Sequence, residues 1–387
     1  MADAPARPAR REGPTRVLLL GGGAAHAQLL AHLARRPADG LDITLLVPPA
    51  TPLHEPLLPA VIAGRVAPEA ARLPFAELLE ATQARCVVGH CLAVEPAQRR
   101  VHVRVAGETQ ASALPYQLLS LDSAPDAGRE HLEQRMPGAR QHALLRYPSE
   151  NFLRLWPDLL ALAHRQPVSL AVIGAGPEAL ALVFALADRL RADGAAGSSF
   201  TLVSDGQTVG QGLREGLRRR VLARLRRQNI HLLPQRCVGF TAEGVRLDNG
   251  ALLCCDAPVL APPGAVPAWL QRSALLAEDG LRLPLDCFGR HSVYPNILAA
   301  GPIGSSAGGA AARIGAVLAH NVVALHAGRR LRPQPPERPA PSLSCGADCA
   351  IAAWGPLHLQ GAWLAHGLLR SELNFLARLQ PPGTPST

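Results

Sequence analysis

The sequence contains no lysine: all 39 basic residues are arginine, set against 30 acidic ones, for a formal net charge of +9. That absence excludes lysine Schiff bases and the lysine of a P-loop phosphate site. An all-arginine excess reads first as a GC-rich coding bias and only weakly as a polyanion-binding surface. Aromatic residues are scarce, at 4%, too few to build stacking platforms for single-stranded nucleic acid, so no nucleic-acid partner is expected. No apolar run approaches the roughly 18 residues of a membrane span. The opening MADAPARPARREGPT lacks an apolar core of the signal-peptide kind. It reads as a loose polar arm, residues 1–15, and a cytoplasmic location is expected. The eight cysteines form no CxxC pair and no zinc-ribbon spacing. No metal site is expected, and buried thiols in a reducing compartment are the default.

What is present is a repeat. RVLLLGGGAAHAQLLAHLARRP (Arg16 to Pro37) and VSLAVIGAGPEALALVFALADRL (Val168 to Leu190) each read as an apolar strand, a glycine turn and an apolar helix. In such a unit a first glycine makes the tight bend after the strand. A second lets backbone N–H groups approach a pyrophosphate, and the positive end of the following helix faces the same anion. The second copy is G-x-G-x-x-A, with Gly174, Ala175, Gly176, Pro177 and Ala179, the proline suiting a first helical turn. The first has Gly21, Gly22, Gly23 and Ala24, with His26 at the third motif position. One such motif is weak; two, each between a strand and a helix, predict two dinucleotide-binding domains.

The flanks repeat as well. LDITLLVPP is followed by a strand, turn and returning strand in RCVVGHCLAVEPAQRRVHVRVAG. SFTLVSDG is followed by NIHLLPQRCVGFTAEGVRLDNGALLCCD, in which Asn249-Gly250 marks a hairpin. Between the latter two, LREGLRRRVLARLRRQ spaces its apolar residues by three and four, so its arginines read as a solvated face, with membrane or NADP-phosphate contact as the minor alternative. RRLRPQPPERPAPS (Arg329 to Ser342) can be neither helix nor central strand and reads as a linker into a last module.

With both turns placed, the chain resembles flavoproteins of the pyridine nucleotide-disulfide oxidoreductase class. More narrowly it resembles the branch related to type II NADH dehydrogenases, which includes modules fused to selenide, water dikinase. LLLGGGAAHAQLL, LLPAVIAGRV, YQLLSLDSAP and CAIAAWGPLHLQGAWLAHGLLRSELNFLARL carry the likeness. The resemblance implies an α/β fold with two Rossmann-like domains: a split FAD domain (16–145 and 266–328), an inserted NAD(P)H domain (146–265), a linker (329–342) and a small C-terminal module (343–387). It implies FAD and NAD(P)H as cofactors, with electrons passing to a small acceptor such as a quinone. For FAD it points to Gly21, Gly22, Gly23, Ala24, His26, Gly301 and Pro302. For NAD(P)H it points to Gly174, Ala175, Gly176, Pro177, Ala179 and Asp205, the last or Ser204 meeting the ribose. Asp205 would disfavour a 2′-phosphate.

The chain also departs from the family. The acid at the end of the second strand, which takes the adenosine ribose, is missing: no acid occurs from Leu45 to Pro52. Pro302 stands where an Ala-Ala-Gly-Asp element has its aspartate, LAPPGA replaces an Ala-Thr-Gly turn, and Ala181 matches a glutamate near the nicotinamide. Two lost carboxylates remove about 3–6 kcal/mol of charged hydrogen bonding, or two to four decades of affinity. The alternative reading is therefore a catalytically silent dinucleotide-binding protein, a sensor or interaction partner.

Other constellations stay secondary. Cys345 and Cys349 are separated by three residues and form a poor redox or metal pair, and Cys287 precedes the Ala-Ala-Gly-Pro turn. His26 could donate to a phosphate or pack on the sheet. His54 and Glu55 could form an acid–base pair beside the flavin or sit on a surface loop. The terminal helix could pack on the FAD domain, touch a membrane face peripherally or form a homodimer. No residue reads as an obligatory acid, base or nucleophile, which suits chemistry carried by cofactors.

Overall fold

The computed structural model describes residues 13–49, 52–123, 129–195, 197–211, 213–261, 266–280, 282–304, 311–336, 342–354 and 357–382. Most of the opening arm (1–12) and of the LAPPGA segment (262–265) lies outside them. Two parallel sheets organise the chain. The first has seven strands in the order Ile297–Ala299, Leu118–Leu121, Thr15–Leu20, Leu41–Val47, Arg85–Glu95, Arg100–Val105 and Ser112–Pro115. The first five are parallel, and the last two turn back as an antiparallel flap. Leu18 and Leu20 point into one core with Trp269 and Leu270, while Val17 and Leu19 point into the other with the helix Ala24–Arg35. Both faces of a parallel sheet are covered, so its strands are apolar on both sides rather than alternating.

The second sheet is all parallel, in the order Ile230–Leu233, Ser199–Val203, Ser169–Ile173, Ala257–Leu260 and Leu144–Leu145. Its central strand runs into the helix Pro177–Ala192, whose residues 179–187 are all buried. The first sheet thus takes strands from both sides of the second in sequence.

Asn249-Gly250 turns the hairpin between Gly244–Leu247 and Leu252–Cys254, with Gly250 at φ +83° as a tight turn requires. On the arginine-rich helix Glu215–Arg227, Leu217, Val221 and Leu225 are buried at intervals of four, and Arg219, Arg220, Arg226 and Arg227 are exposed. Arg329 to Pro336 carries no helix or strand.

The last module is a three-stranded antiparallel sheet, Ser342–Ser344, Ala350–Trp354 and Leu357–Gly361, followed by the helix Ala362–Leu379. That helix is pinned to the first sheet's unit. Arg35 donates to the Gln380 carbonyl at 2.7 Å, and His54 Nε2 meets Glu372 Oε2 at 2.7 Å with its ring 5.0 Å from that of Phe375. Among the described residues no helix is long and apolar enough to cross a membrane, and no three His, Cys, Asp or Glu residues are grouped to hold a metal.

Candidate functional site

The two glycine turns are built alike. Each first glycine follows an inner strand of its sheet, donates its N–H to the end of the next strand and has a φ that only glycine holds easily: Gly21 at +103° and Gly174 at +147°. In each, a Cβ would overlap the backbone carbonyl of the residue just past the neighbouring strand, Asp122 for Gly21 and Ala261 for Gly174. The registers match, with Leu20 opposite Leu121 and Ile173 opposite Leu260. Asp122 and Ala261 therefore occupy equivalent positions in the two halves of the repeat.

Beyond that the turns differ. At the second, Gly176 has φ −76° and ψ 172°, and among the described residues a Cβ there would meet nothing within 4 Å. The N-terminus of the helix Pro177–Ala192 opens onto that space. Ala175 and Ala179 are buried, and the Ala175 carbonyl accepts the Gly210 N–H at 2.7 Å. At the first turn the matching space is filled by the chain. The Asp122 carboxylate, 1% exposed, accepts the N–H groups of Ala25 (2.8 Å) and His26 (3.1 Å) through Oδ2. A Cβ on Gly23 or on Gly301 would overlap that carboxylate, and one on Gly22 would overlap Pro52. Burial pushes the Asp122 carboxyl above the usual range, against the pull of His26 and of the two N–H donors.

His26 faces the sheet and not the turn's opening. Its Nδ1–H donates to the Gly21 carbonyl at 2.7 Å, and its Nε2 lies 2.8 Å from the Ser120 hydroxyl, which donates to it. Fully buried, the ring is held below its ordinary pKa chiefly by desolvation. Ala24 opens the helix behind it. Gly301 has φ +65° and, with Pro302, begins the four-residue helix Gly301–Gly304. Asp205, with φ +55° at the end of the strand Ser199–Val203, accepts the Cys237 N–H at 2.9 Å through Oδ1, and burial raises its pKa. Ser204 beside it is buried.

His54 and Glu55 take separate partners. His54 goes to Glu372 of the terminal helix, whereas Glu55 enters a cluster that reaches the second turn. Arg146, 4% exposed, lies 3.2 Å from Glu55 and 3.6 Å from Glu178, with its guanidinium 4.0 Å over the Tyr147 ring. Tyr147 donates to Glu178 at 2.7 Å, and the Ser149 hydroxyl donates to Glu55. Burial raises the Glu55 carboxyl, partly offset by Arg146 and Ser149. Glu178 follows Pro177 directly, so this bridge joins the second turn to the segment after the strand Leu41–Val47. Sequence reasoning singles out Glu55 but pairs it with His54, and it misses the cluster because its members come from three distant segments.

Cys345 and Cys349 are buried free thiols joined by backbone pairing, Cys345 N–H to Cys349 carbonyl at 2.8 Å, and burial pushes Cys345 well up. A thiol so placed is inert. Cys287 is exposed.

The family model for pyridine nucleotide-disulphide oxidoreductases matches residues 15–313. No curated protein sequence matches the chain. Among solved structures, a sulfide:quinone oxidoreductase from the hyperthermophilic bacterium Aquifex aeolicus is similar with a TM-score of 0.73 at 18% identity, over 95% of this chain and 91% of that one. NDH2 from Plasmodium falciparum gives 0.72 at 12% identity, over 96% and 100%. A NAD-dependent persulfide reductase from A. fulgidus gives 0.65 at 17%, over 88% of this chain and 64% of that one. At these identities the structural likeness is one of fold.

Proposed function

The chain belongs to the pyridine nucleotide-disulphide oxidoreductase family, and from that premise we propose that it passes electrons from NAD(P)H through FAD to a small acceptor, a quinone being one candidate. It is an FAD-dependent oxidoreductase of that family, with FAD and NAD(P)H as its cofactors. The reading assigns residues 16–145 and 266–328 to the flavin, 146–265 to the nicotinamide nucleotide and 343–387 to a covering module.

The observation that carries it is the second turn. Gly174, Ala175, Gly176, Pro177 and Ala179 form the N-terminus of a sixteen-residue helix, open among the described residues, the donor set a pyrophosphate needs. Asp205 lies at the end of the next strand, where a ribose would rest. The first turn has the same kind of donors, with Gly21, Gly22, Gly23, Ala24 and Gly301 around them. Held at the second turn, NAD(P)H would supply a hydride and FAD would relay the electron pair, with one NAD(P)H and one proton consumed for each two-electron reduction of the acceptor. Arg146 ties Glu55 to Glu178 and so fixes the first unit against the mouth of the second turn. A catalytically silent dinucleotide binder is not favoured by the family match.

Peripheral membrane contact or self-association would use the start of the terminal helix. Trp363 is 62% exposed there and Leu357, on the strand leading into the helix, is 65% exposed, whereas Ala365, Leu376 and Leu379 are already buried.

Nicotinamide fluorescence titration of the wild type and of Gly176→Val tests the assignment. Valine fits the backbone at φ −76°, so the melting temperature should hold within about 2 °C, while NADH and NADPH affinity should fall at least tenfold. A folded variant that binds both as the wild type does would refute it.

A further inference from the structure

We propose that Asp122 is a built-in competitor for the pyrophosphate of FAD: its carboxylate holds the anion cradle of the first glycine turn, and the cofactor binds by displacing it. This rests on the reading that the first turn is the FAD site.

The internal repeat supplies the comparison. Each turn has a neighbouring strand whose next residue closes over the first glycine. Asp122 donates its N–H to Leu20 and Ala261 donates its own to Ile173, both at 2.9 Å. Where the second half of the chain places a methyl group, the first places a carboxylate. Among the described residues nothing approaches a Cβ placed on Gly176, while one on Gly23 would overlap the Asp122 carboxyl atoms. The N–H groups taken, those of Ala25 and His26, belong to the first turn of the helix, which has no intrahelical partners for them. They are the donors such a turn offers to phosphate. Gly23 contributes no side-chain cap of its own. The carboxylate thus serves as cap and as anion, and a pyrophosphate arriving at the same N–H groups meets like charge and filled space.

The exchange is set from both sides of the carboxylate. A Cβ on Gly301 would overlap Oδ1, so the loop after Ile297–Ala299 leaves that flank free of side chain. His26 holds the turn from beneath through Gly21 and Ser120 without touching the open side. Asp122 can therefore leave while the glycine turn keeps its shape.

The test uses the full-length protein freed of flavin, titrated with FAD by flavin fluorescence and followed by thermal shift. Asp122→Ala should bind FAD at least tenfold more tightly than the wild type. It should also melt lower without FAD, having lost its cap, and gain more on adding it. Asp122→Asn, neutral but able to accept the same N–H groups, should fall between the two. The reciprocal change, Ala261→Asp, should weaken NADH binding at least tenfold and leave FAD affinity unchanged. If the wild type and Asp122→Ala bind FAD equally, or the variant binds it less, the competitor role is overturned while the flavin site stands. If neither binds FAD although NADH still binds, the flavin assignment of the first turn fails, and the competitor role fails with it.

Discussion

Replacing Arg146 by alanine is expected to destabilise the protein by about 2–3 kcal/mol. Removing one partner of a fully buried ion pair costs about 3–5 kcal/mol, because the other charge is left uncompensated. Here the guanidinium is buried, but the Glu55 and Glu178 side chains keep 31% and 53% of their exposure, so water recovers part of that cost. Loss of the stacking on Tyr147 at 4.0 Å adds about 0.5–1 kcal/mol. In a thermal melt the midpoint should fall by roughly 3–4 °C. The double variant Glu55→Gln/Arg146→Ala should be more stable than Arg146→Ala alone, since the stranded carboxylate is gone.

The pH dependence has a definite sign. Burial raises the Glu55 pKa in the folded protein, Glu178 and Glu150 push the same way, and Arg146 and Ser149 oppose them. A raised carboxyl stabilises the fold most when protonated, and that contribution is lost as pH climbs from the unfolded value through the folded one. Without Arg146 the raise is larger, so the gap between variant and wild type should be widest near pH 7 and narrow towards pH 5. A gap independent of pH, or a double variant whose loss is the sum of the two single losses, would refute a charge-based role for Arg146.

Two further outcomes follow from the same geometry. Gly174→Ala should destabilise by at least 2–3 kcal/mol in urea unfolding, because φ +147° is strained for alanine and its Cβ would overlap the Ala261 carbonyl; the contrast is Gly176, where the same addition has room. Titrated with a thiol reagent, the native protein should react at the exposed Cys254 and Cys287, and more slowly at Cys86, whose thiol burial pushes up, with Cys237, Cys255, Cys345 and Cys349 reacting only after denaturation.

Much of the fold is legible because it is written locally. A strand, a glycine turn and an apolar helix sit within about twenty residues of one another at Gly21 and again at Gly174, and the hairpin at Asn249-Gly250 needs no distant partner. The split first sheet is legible only through the resemblance, since nothing in Ile297–Ala299 alone says that it pairs with Leu118–Leu121. The occupant of the first turn is hidden for the same reason: Asp122 meets Ala25 across 97 residues. A signal was available, because an acid directly after the apolar strand of YQLLSL must land beside the glycine turn once that strand is parallel to Thr15–Leu20. His26 illustrates the opposite limit. Its motif position faces a phosphate or a sheet depending on side-chain direction, which spacing does not encode, and the buried pair of Gly21 and Ser120 decides it.

The interrupted first sheet has a consequence for synthesis. Its edge strand Ile297–Ala299 and the helix Ala311–His326, which packs on Ala24–Arg35, leave the ribosome after every strand of the second sheet. The unit begun first is therefore finished last, around a neighbour already complete, and a chain stopped near residue 265 would hold one whole domain and one that lacks its edge strand.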